Sequence, residues 1–340
     1  MNLRTCARTF GSVQPIILSH GDDSRLNRHV SPASTASVDR ALELALDLGH
    51  EDLQVGTGST STLWSTLATI AALDLGAARV VEPHLDALSI LSQVDAPAGP
   101  DRTWGVFASE APGTTLEAHE SDAGWRLFGI KQWCSLAGRL DSALVTASGR
   151  LWAVDLHDAG IRVDEGAWRA RGLVEIPSGP VGFEGVPAMP VGDAGWYLSR
   201  PGFHWGGIGV AACWFGGAVG LARSVFDAAK TRPSDIVTMH LGAIDEQLGA
   251  CRVVLAEAAA AVDRNEPSRI LAKRVRATVA RTVEDVLLRT AHALGPAPLA
   301  LDAAHVKRVA DLQLYVRQHH AERDLVSLGS SVLDNGDYPW

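Results

Sequence analysis

Two adjacent histidines, His319 and His320, lie in the sequence YVRQHHAERD near the end of the chain. A neutral imidazole, whose unperturbed pKa is about 6.5, can accept or give a proton near neutral pH. On a continuous helix the two side chains point about 100° apart, so only one of them can face a cleft. We predict that His319 faces inward and that His320 is solvated and pairs with Asp324, four residues further on. The alternative is that both histidines belong to a solvated charged face.

A second group of residues is suited to binding a flat or phosphorylated ligand. The stretch WGVFASEAPGTT leaves a predicted strand through Ser109, Thr114 and Thr115, and this turn offers hydroxyls and free backbone donors. Trp133 and Ser135 stand at the end of another predicted strand, where an indole can stack on a flat ring. The alternative is that Trp133 is a core residue and that the hydroxyl cluster is an ordinary turn.

Other motifs carry less chemistry. The stretch GGIGVAAC has a GxGxxA spacing, but it opens a helix without a preceding strand, so we interpret its glycines as helix-packing residues and not as a dinucleotide site. The four cysteines share no CxxC spacing and no histidine cluster, which argues against a disulfide framework and a metal site. His84 is interpreted as a packed or solvated residue.

Composition limits the classes of function. The chain has 340 residues, of which 46% are hydrophobic and 20% charged, as is typical of a globular protein. Its net charge is -9 and its basic residues are scattered, so we expect no nucleic-acid partner. The apolar stretches are too short to predict a membrane span, and the N-terminus lacks the apolar region of a signal peptide, which predicts a cytoplasmic protein.

The hydrophobic pattern predicts an α+β fold in three parts. These are an N-terminal helical domain (1–100), a central β-domain (101–200) and a C-terminal four-helix bundle (201–340). The first part has predicted helices at 37–48 and 61–94, the latter divided at Pro83. Predicted strands are 103–109, 124–130, 142–147, 150–156, 172–177 and 195–198, and the long helices are 207–230, 235–264, 267–294 and 303–328. Such segregated runs exclude a doubly wound α/β sheet.

This layout, the turn SEAPGTT, the segment GWRLFGIKQWCSLAG and the helix RVADLQLY resemble the acyl-CoA dehydrogenase superfamily. The resemblance covers residues 63–328 approximately and is most specific over 124–147. It implies an oxidoreductase that binds FAD between a β-domain and helical bundles, and a homodimer or homotetramer. It also implies a small-molecule or acyl-CoA substrate, with an electron-transfer or reductase protein as a possible partner.

The resemblance assigns roles to individual residues. The neighbourhood of Ser109 would meet the flavin ring, Trp133 and Ser135 would flank the isoalloxazine, and Thr114 and Thr115 would lie near the pyrophosphate. Gly295 occupies, by a loose match, the place of a turn that contacts FAD across a dimer interface.

The chain also departs from the family. TRPSDIVTMH lacks the Phe-Gly that follows an arginine in relatives, and the two positions that supply the catalytic glutamate fall on His319 and near Val210. His319 is therefore predicted to replace the glutamate as the base, with His204, at the start of the first bundle helix, as a second polar group of the site.

Three functions are consistent with these features. The first is dehydrogenation of an acyl thioester or similar substrate, by proton abstraction and hydride transfer to the flavin. The second is a two-component flavin-dependent monooxygenase that uses reduced flavin and oxygen. The third is a scaffold that has lost catalysis.

Overall fold

The computed structural model describes residues 13–19, 28–51, 53–99, 101–122, 124–266, 269–338 and 340. The stretch 1–12, which contributes to the prediction that no signal peptide is present, and the predicted start of a helix at 267 lie outside the described residues. The helices are α1 (Val38–Gly49), α2 (Thr60–Leu73), α3 (Leu75–Ser92), α4 (Trp196–Ser199), α5 (Pro201–Thr231), α6 (Asp235–Asp263), α7 (Arg269–Leu294), α8 (Pro296–Leu301), α9 (Ala303–Tyr315) and α10 (Glu322–Asp334). The strands are β1 (Trp104–Phe107), β2 (Leu116–Ser121), β3 (Gly124–Lys131), β4 (Ser142–Ala147), β5 (Arg150–Asp155), β6 (Ile161–Val163) and β7 (Val181–Val191).

The long N-terminal helix divides at Asp74 and not at Pro83, so the predicted boundary is wrong. The backbone of Asp74 is extended, with φ of -151°, and its carboxylate accepts a hydrogen bond of 3.0 Å from the Ala77 N–H at the start of α3. This is an ordinary N-cap. Pro83 lies inside α3, where tertiary packing against α1, α5 and β1 holds the helix together.

The strands form one mixed sheet in the order β1-β4-β5-β7-β3-β2, with β6 paired to β7. β1 and β4 are parallel, whereas the other pairs are antiparallel. The fold class is therefore α+β, as predicted.

Four predicted strands are confirmed, two are wrong and three strands were not predicted. The stretch 195–198 lies in α4, and 172–177 forms turns in which the Leu173 N–H donates to the Asp311 carboxylate over 2.6 Å. β2, β6 and β7 were missed. β7 contains Pro187 and Pro190, which normally argue against a strand, yet these residues align with Arg126 and Trp152 of the neighbouring strands.

α5 is the central helix of the core and packs against α2, α6 and α7. It is long and apolar enough to cross a membrane, but 72% of its most apolar window is buried inside the protein, as in a core helix. In the motif GGIGVAAC, a Cβ at Gly206 would lie 2.9 Å from Asp86 Oδ1 of α3, which is close packing, whereas a Cβ at Gly209 would make only an ordinary contact of 3.4 Å with Trp64 Nε1. The tightest approach is beyond the motif, at Gly216, where a Cβ would overlap the Ala68 carbonyl. The first and third parts of the chain consequently share one core.

We expect Gly216→Ala to lower the free energy of unfolding by about 1–3 kcal/mol, because the new methyl group must displace the backbone of α2. Gly242→Ala is the matched control, since its Cβ meets no atom within 4 Å and alanine favours the helix by up to about 1 kcal/mol. Urea denaturation of both variants measures the difference. Equal stability of the two variants would contradict this account of the α2–α5 contact.

Candidate functional site

The helix predicted over 303–328 is interrupted at the histidines. α9 ends at Tyr315, a short 3-10 turn follows, and His319 is extended with φ of -89° and ψ of 118°. Ala321 has φ of 44°, in the left-handed region, and α10 begins at the next residue. The Asp324 carboxylate accepts a hydrogen bond of 3.1 Å from the His320 N–H, which stabilises the break.

His319 is buried and His320 is exposed. They are separated by the interruption between α9 and α10, and not by the angle between neighbours on a continuous helix. His319 is 7% exposed, and its Nε2 makes no hydrogen bond within the described residues; the nearest carboxylate oxygen, of Asp324, is 3.8 Å away. The side chain of His320 is 63% exposed and its Nδ1 lies 3.6 Å from Asp324. Burial lowers the pKa of His319 below its ordinary value, although Asp324 opposes this shift. His319 is therefore neutral near pH 7.

His319 lines a cavity of about 470 Å³ between α3, α4, α5, α7 and the segment that joins α9 to α10. His204 lines the same cavity, so the structure brings together the two histidines predicted from sequence. Burial, followed by the positive charges of Arg269 and Lys273, lowers the pKa of His204. The acids, cations and histidines of the lining number three, four and three: Glu82, Asp86, Asp324, Arg200, Arg269, Lys273, Arg276, His204, His319 and His320.

Two of these acids, Glu82 and Asp86, were missed from sequence. They lie one turn apart on α3, and burial raises the pKa of Glu82 to about 8, with Arg79 opposing and Asp86 reinforcing the shift. Burial also raises the pKa of Asp86, opposed by Arg200. The available signal was a pair of acids at i,i+4 in an otherwise apolar helix. Glu82 is a buried carboxyl group that holds its proton at neutral pH.

Arg276 holds one wall of the cavity in place. Its guanidinium donates to the Gly207 carbonyl (2.7 Å) and the Gln318 carbonyl (3.0 Å), and its Cζ lies 4.7 Å from the centre of the Trp214 ring. These contacts join α5, α7 and the residue before His319. The position of His319 thus depends on packing between three segments that are distant in sequence.

The predicted ligand-binding turn, residues 109–115, lies beside the end of β3. Lys131 Nζ donates to Glu110 Oε1 over 2.7 Å, and the Ile130 N–H donates to the Thr115 carbonyl over 2.8 Å. Ser109 and Thr115 are exposed, while the partly buried Thr114 hydroxyl donates to the Ala111 carbonyl. The N–H groups of residues 109–111 donate to no acceptor in the part of the chain that the structure describes. Donors and hydroxyls are therefore available to a ligand at this turn.

Trp133 is not a core residue. It is 57% exposed and has φ of 62°, a backbone conformation that is uncommon for a bulky side chain. The nearby Ser135 is buried, and its hydroxyl contacts both Arg79 Nη2 at 3.0 Å and Ser178 Oγ at 2.8 Å. Trp133 follows Lys131, which contacts the turn through Glu110, by two residues. An exposed indole can stack on a flat ring and the turn offers polar partners, so the residues present are compatible with a flavin.

Arg79 connects Ser135 to the cavity. Its Nη1 is 3.6 Å from Glu82 Oε2, and its Cζ lies 5.6 Å from the centre of the Tyr315 ring, next to the break before His319. Gly295, by contrast, lies between α7 and α8 with φ of 69° and is not among the residues that line the cavity.

His84 does not line the cavity. His84 is buried, its Nδ1 accepts a hydrogen bond of 3.3 Å from the Trp104 N–H, and burial lowers its pKa to about 4, so it is a packed residue. The described residues contain no group of three His, Cys, Asp or Glu side chains that could hold a metal ion.

We expect the raised pKa of Glu82 to make stability depend on pH. Between about pH 4.5 and 8 the folded protein keeps a proton that the unfolded chain has lost, so the free energy of unfolding falls as pH rises, with a limiting slope of about 1.4 kcal/mol per pH unit. Glu82→Gln should remove this contribution, as measured by urea denaturation across the range. Glu43→Gln, at an exposed ion pair, is the control and should keep the wild-type slope. A wild-type slope in Glu82→Gln would contradict the assignment.

Comparison with known proteins identifies the fold. No protein-family model and no curated protein matches the sequence. Among solved structures, dibenzothiophene monooxygenase (TdsC) from Paenibacillus sp. A11-2 has a TM-score of 0.74 at 16% identity, covering 92% of this chain and 96% of that one. KijD3, in complex with FMN and dTDP-3-amino-2,3,6-trideoxy-4-keto-3-methyl-D-glucose, has a TM-score of 0.75 at 16% identity, covering 93% of both chains. Nitrososynthase from Micromonospora carbonacea var. africana has a TM-score of 0.72 at 16% identity, covering 93% of this chain and 98% of that one. The chain therefore has the acyl-CoA dehydrogenase-like fold.

Proposed function

We propose that this protein is a flavin-dependent oxidoreductase that acts on a polar small molecule in the cavity at His319. The observation that carries the proposal is His319 itself: a buried, neutral imidazole whose Nε2 lacks a hydrogen bond within the described residues and lines a cavity. Arg79 links that cavity to Ser135, beside the exposed Trp133. The fold, which is shared with proteins solved in complex with FMN, supports the same conclusion.

The flavin would be held by the surface formed by Trp133 and the turn at 109–115. A bound flavin supplies two-electron redox chemistry. Trp133 would contact the ring face, while Ser109, Thr115 and the free N–H groups would hydrogen-bond to polar edges or phosphate. The resemblance predicts FAD, whereas the solved complexes of TdsC and KijD3 contain FMN. The proposal holds for either FAD or FMN, and titration of the protein with each flavin distinguishes the two.

His319 would act as the proton acceptor. Because burial keeps the imidazole neutral, its Nε2 can accept a proton from an acidic O–H or N–H of a substrate, or orient that group. Glu82, which is protonated at neutral pH, can donate a hydrogen bond within the same cavity. Arg276 would act as a positioning residue, since it holds the chain just before His319.

Monooxygenation is favoured over acyl-thioester dehydrogenation because the two positions that supply the family's catalytic glutamate hold no acid, as His319 and the neighbourhood of Val210 show. The cavity combines apolar residues such as Phe203 and Val210 with charged groups, so it suits a substrate that has both an apolar part and a polar group. The name of TdsC, a dibenzothiophene monooxygenase with this fold, supports this preference. A separate reductase would then be the partner that supplies reduced flavin.

Dehydrogenation of a carrier-linked substrate is the second candidate. The observation that favours it is Glu82, a buried carboxyl group that could serve as the missing base once deprotonated. The homo-oligomeric state and the contact of Gly295 with flavin across a dimer interface remain predictions from the resemblance. The cytoplasmic location remains a prediction from the sequence pattern.

We expect Trp133→Ala to weaken flavin binding about tenfold, because the indole provides the stacking surface. The measurement is titration of oxidised and reduced FMN and FAD under anaerobic conditions, followed by fluorescence. Trp340→Ala is the matched control, since it removes another exposed indole outside the site. Absence of flavin binding by the wild-type protein in both redox states would sink the proposed function.

We expect His319→Ala to abolish turnover while flavin affinity stays unchanged. The assays are oxygen consumption with a reductase and anaerobic flavin bleaching by acyl-CoA, which separate the two candidate reactions. In the wild-type protein the rate should fall as pH drops below the lowered pKa of His319, because only the neutral imidazole accepts a proton. If His319→Ala stays active and His204→Ala is inactive, the base is misassigned.

A further inference from the structure

The cavity at His319 holds cations that the protein itself does not neutralise. Among the described residues, no carboxylate oxygen lies within 4.0 Å of a side-chain nitrogen of its four cations, which are Arg200, Arg269, Lys273 and Arg276. The pairing of basic groups elsewhere in the described chain varies: Lys307 contacts Asp74 at 2.9 Å and Asp311 at 2.6 Å, whereas Arg223 and Arg308 donate to the carbonyl groups of Gln14 and Leu73. The side chain of Arg269 differs from these, because it has neither an acid nor a carbonyl group as a partner among the described residues.

The acids of the cavity do not supply the missing charge. Glu82 is protonated at neutral pH because it is buried. Asp86 faces α5, where its Oδ1 would lie 2.9 Å from a Cβ built on Gly206. Asp324 lies against His319 and His320. On the α7 side, Asp324 attracts Arg276 and Lys273 from beyond 4.0 Å, and no acid of the described residues lies within that distance of Arg269.

Two of the four cations are occupied by structural contacts. Arg276 donates to two carbonyl groups, and Arg200 donates to Gln93 Oε1 over 3.0 Å while its guanidinium lies against the rings of Trp196 and Tyr197. Lys273 Nζ donates to the Ser327 carbonyl and the Ser331 hydroxyl of α10, which leaves one of its three hydrogens. The side chain of Arg269, which is exposed, makes no hydrogen bond to any residue that the structure describes.

Arg269 and Lys273 stand one turn apart on one face of α7, at its first residues. Cations are unfavourable there because the start of a helix carries positive partial charge, and the first turn of α7 contains no acid to compensate. The positive charge of Arg269 also acts on its neighbours. Burial is the largest cause of the lowered pKa of His204 and of Lys273, and the charge of Arg269 is the second largest for both. An anion at this position would relieve all of these repulsions.

We propose that Arg269 and Lys273 bind an anionic group of the substrate, a carboxylate or a phosphate, and so select an acidic small molecule for this cavity. His204 borders the same place, and the unpartnered, buried Nε2 of His319 is available to another polar group of the same molecule. The proposal rests on the proposed function only in calling the ligand a substrate. Anion binding itself requires no flavin.

The test is isothermal titration of the full-length, flavin-free protein with inorganic phosphate and, separately, with benzoate, at constant ionic strength set by chloride. We expect saturable binding of one or both probes by the wild-type protein, and the probe that binds more tightly distinguishes a phosphate from a carboxylate. Arg269→Gln/Lys273→Gln should raise the dissociation constant at least about tenfold, or about 1.4 kcal/mol. Arg269→Gln alone, which disturbs no hydrogen bond of the described structure, should weaken binding without affecting folding.

Arg274→Gln is the matched control, because this exposed residue of α7 lies outside the cavity lining and the net charge changes equally. It should bind both probes as the wild-type protein does. The proposal would be overturned if the wild-type protein bound neither probe saturably. It would also be overturned if Arg274→Gln and Arg269→Gln weakened probe binding equally. Flavin affinity is measured on the same samples, so anion binding without flavin binding would count against the proposed function alone.

Discussion

The partly buried guanidinium of Arg79 connects the β-sheet to the helices around the cavity, and the geometry of the candidate site depends on it. The side chain extends from α3 to the Ser135 hydroxyl on the sheet side, to the Glu82 carboxyl group on the cavity side and to the Tyr315 ring at the end of α9. A charge that is largely removed from water needs several polar partners, and that requirement constrains the relative positions of these three groups. The surface proposed to hold a flavin and the cavity proposed to hold a substrate are thereby coupled through one side chain.

The second constraint is the break between α9 and α10. A continuous helix would carry the last part of the chain past the cavity, whereas the extended His319 and the left-handed Ala321 turn it back so that α10 lies against α7. Arg276 and Asp324 hold the two sides of this break through hydrogen bonds to backbone groups. The result is an imidazole that is buried but not internally satisfied, which is the kind of group that a ligand can engage.

Sequence patterns were sufficient for α5, α6 and α7 and for the α+β class, because apolar residues at helical spacing bury one face over many turns. They failed where tertiary contacts override local preference. Pro187 and Pro190 stand in a strand because neighbouring strands hold β7 on both sides, and Pro83 lies within a helix that packing maintains. The prediction that His319 faces inward is correct, although it assumed a continuous helix and the helix is interrupted at that residue. Glu82 and Asp86 form an i,i+4 pair of acids in α3, but they were missed because that spacing does not show that α5 and α7 enclose them.

The central claim is that a flavin bound at Trp133 faces a substrate cavity at His319. It is tested most directly by a crystal structure of the protein in complex with reduced or oxidised FMN or FAD. The account predicts the flavin ring against the Trp133 indole, with its polar edge near Ser135 and Arg79 and with the cavity at His319 open on the opposite side. A flavin bound elsewhere on the molecule, or a ring separated from His319 by intact protein, would contradict it.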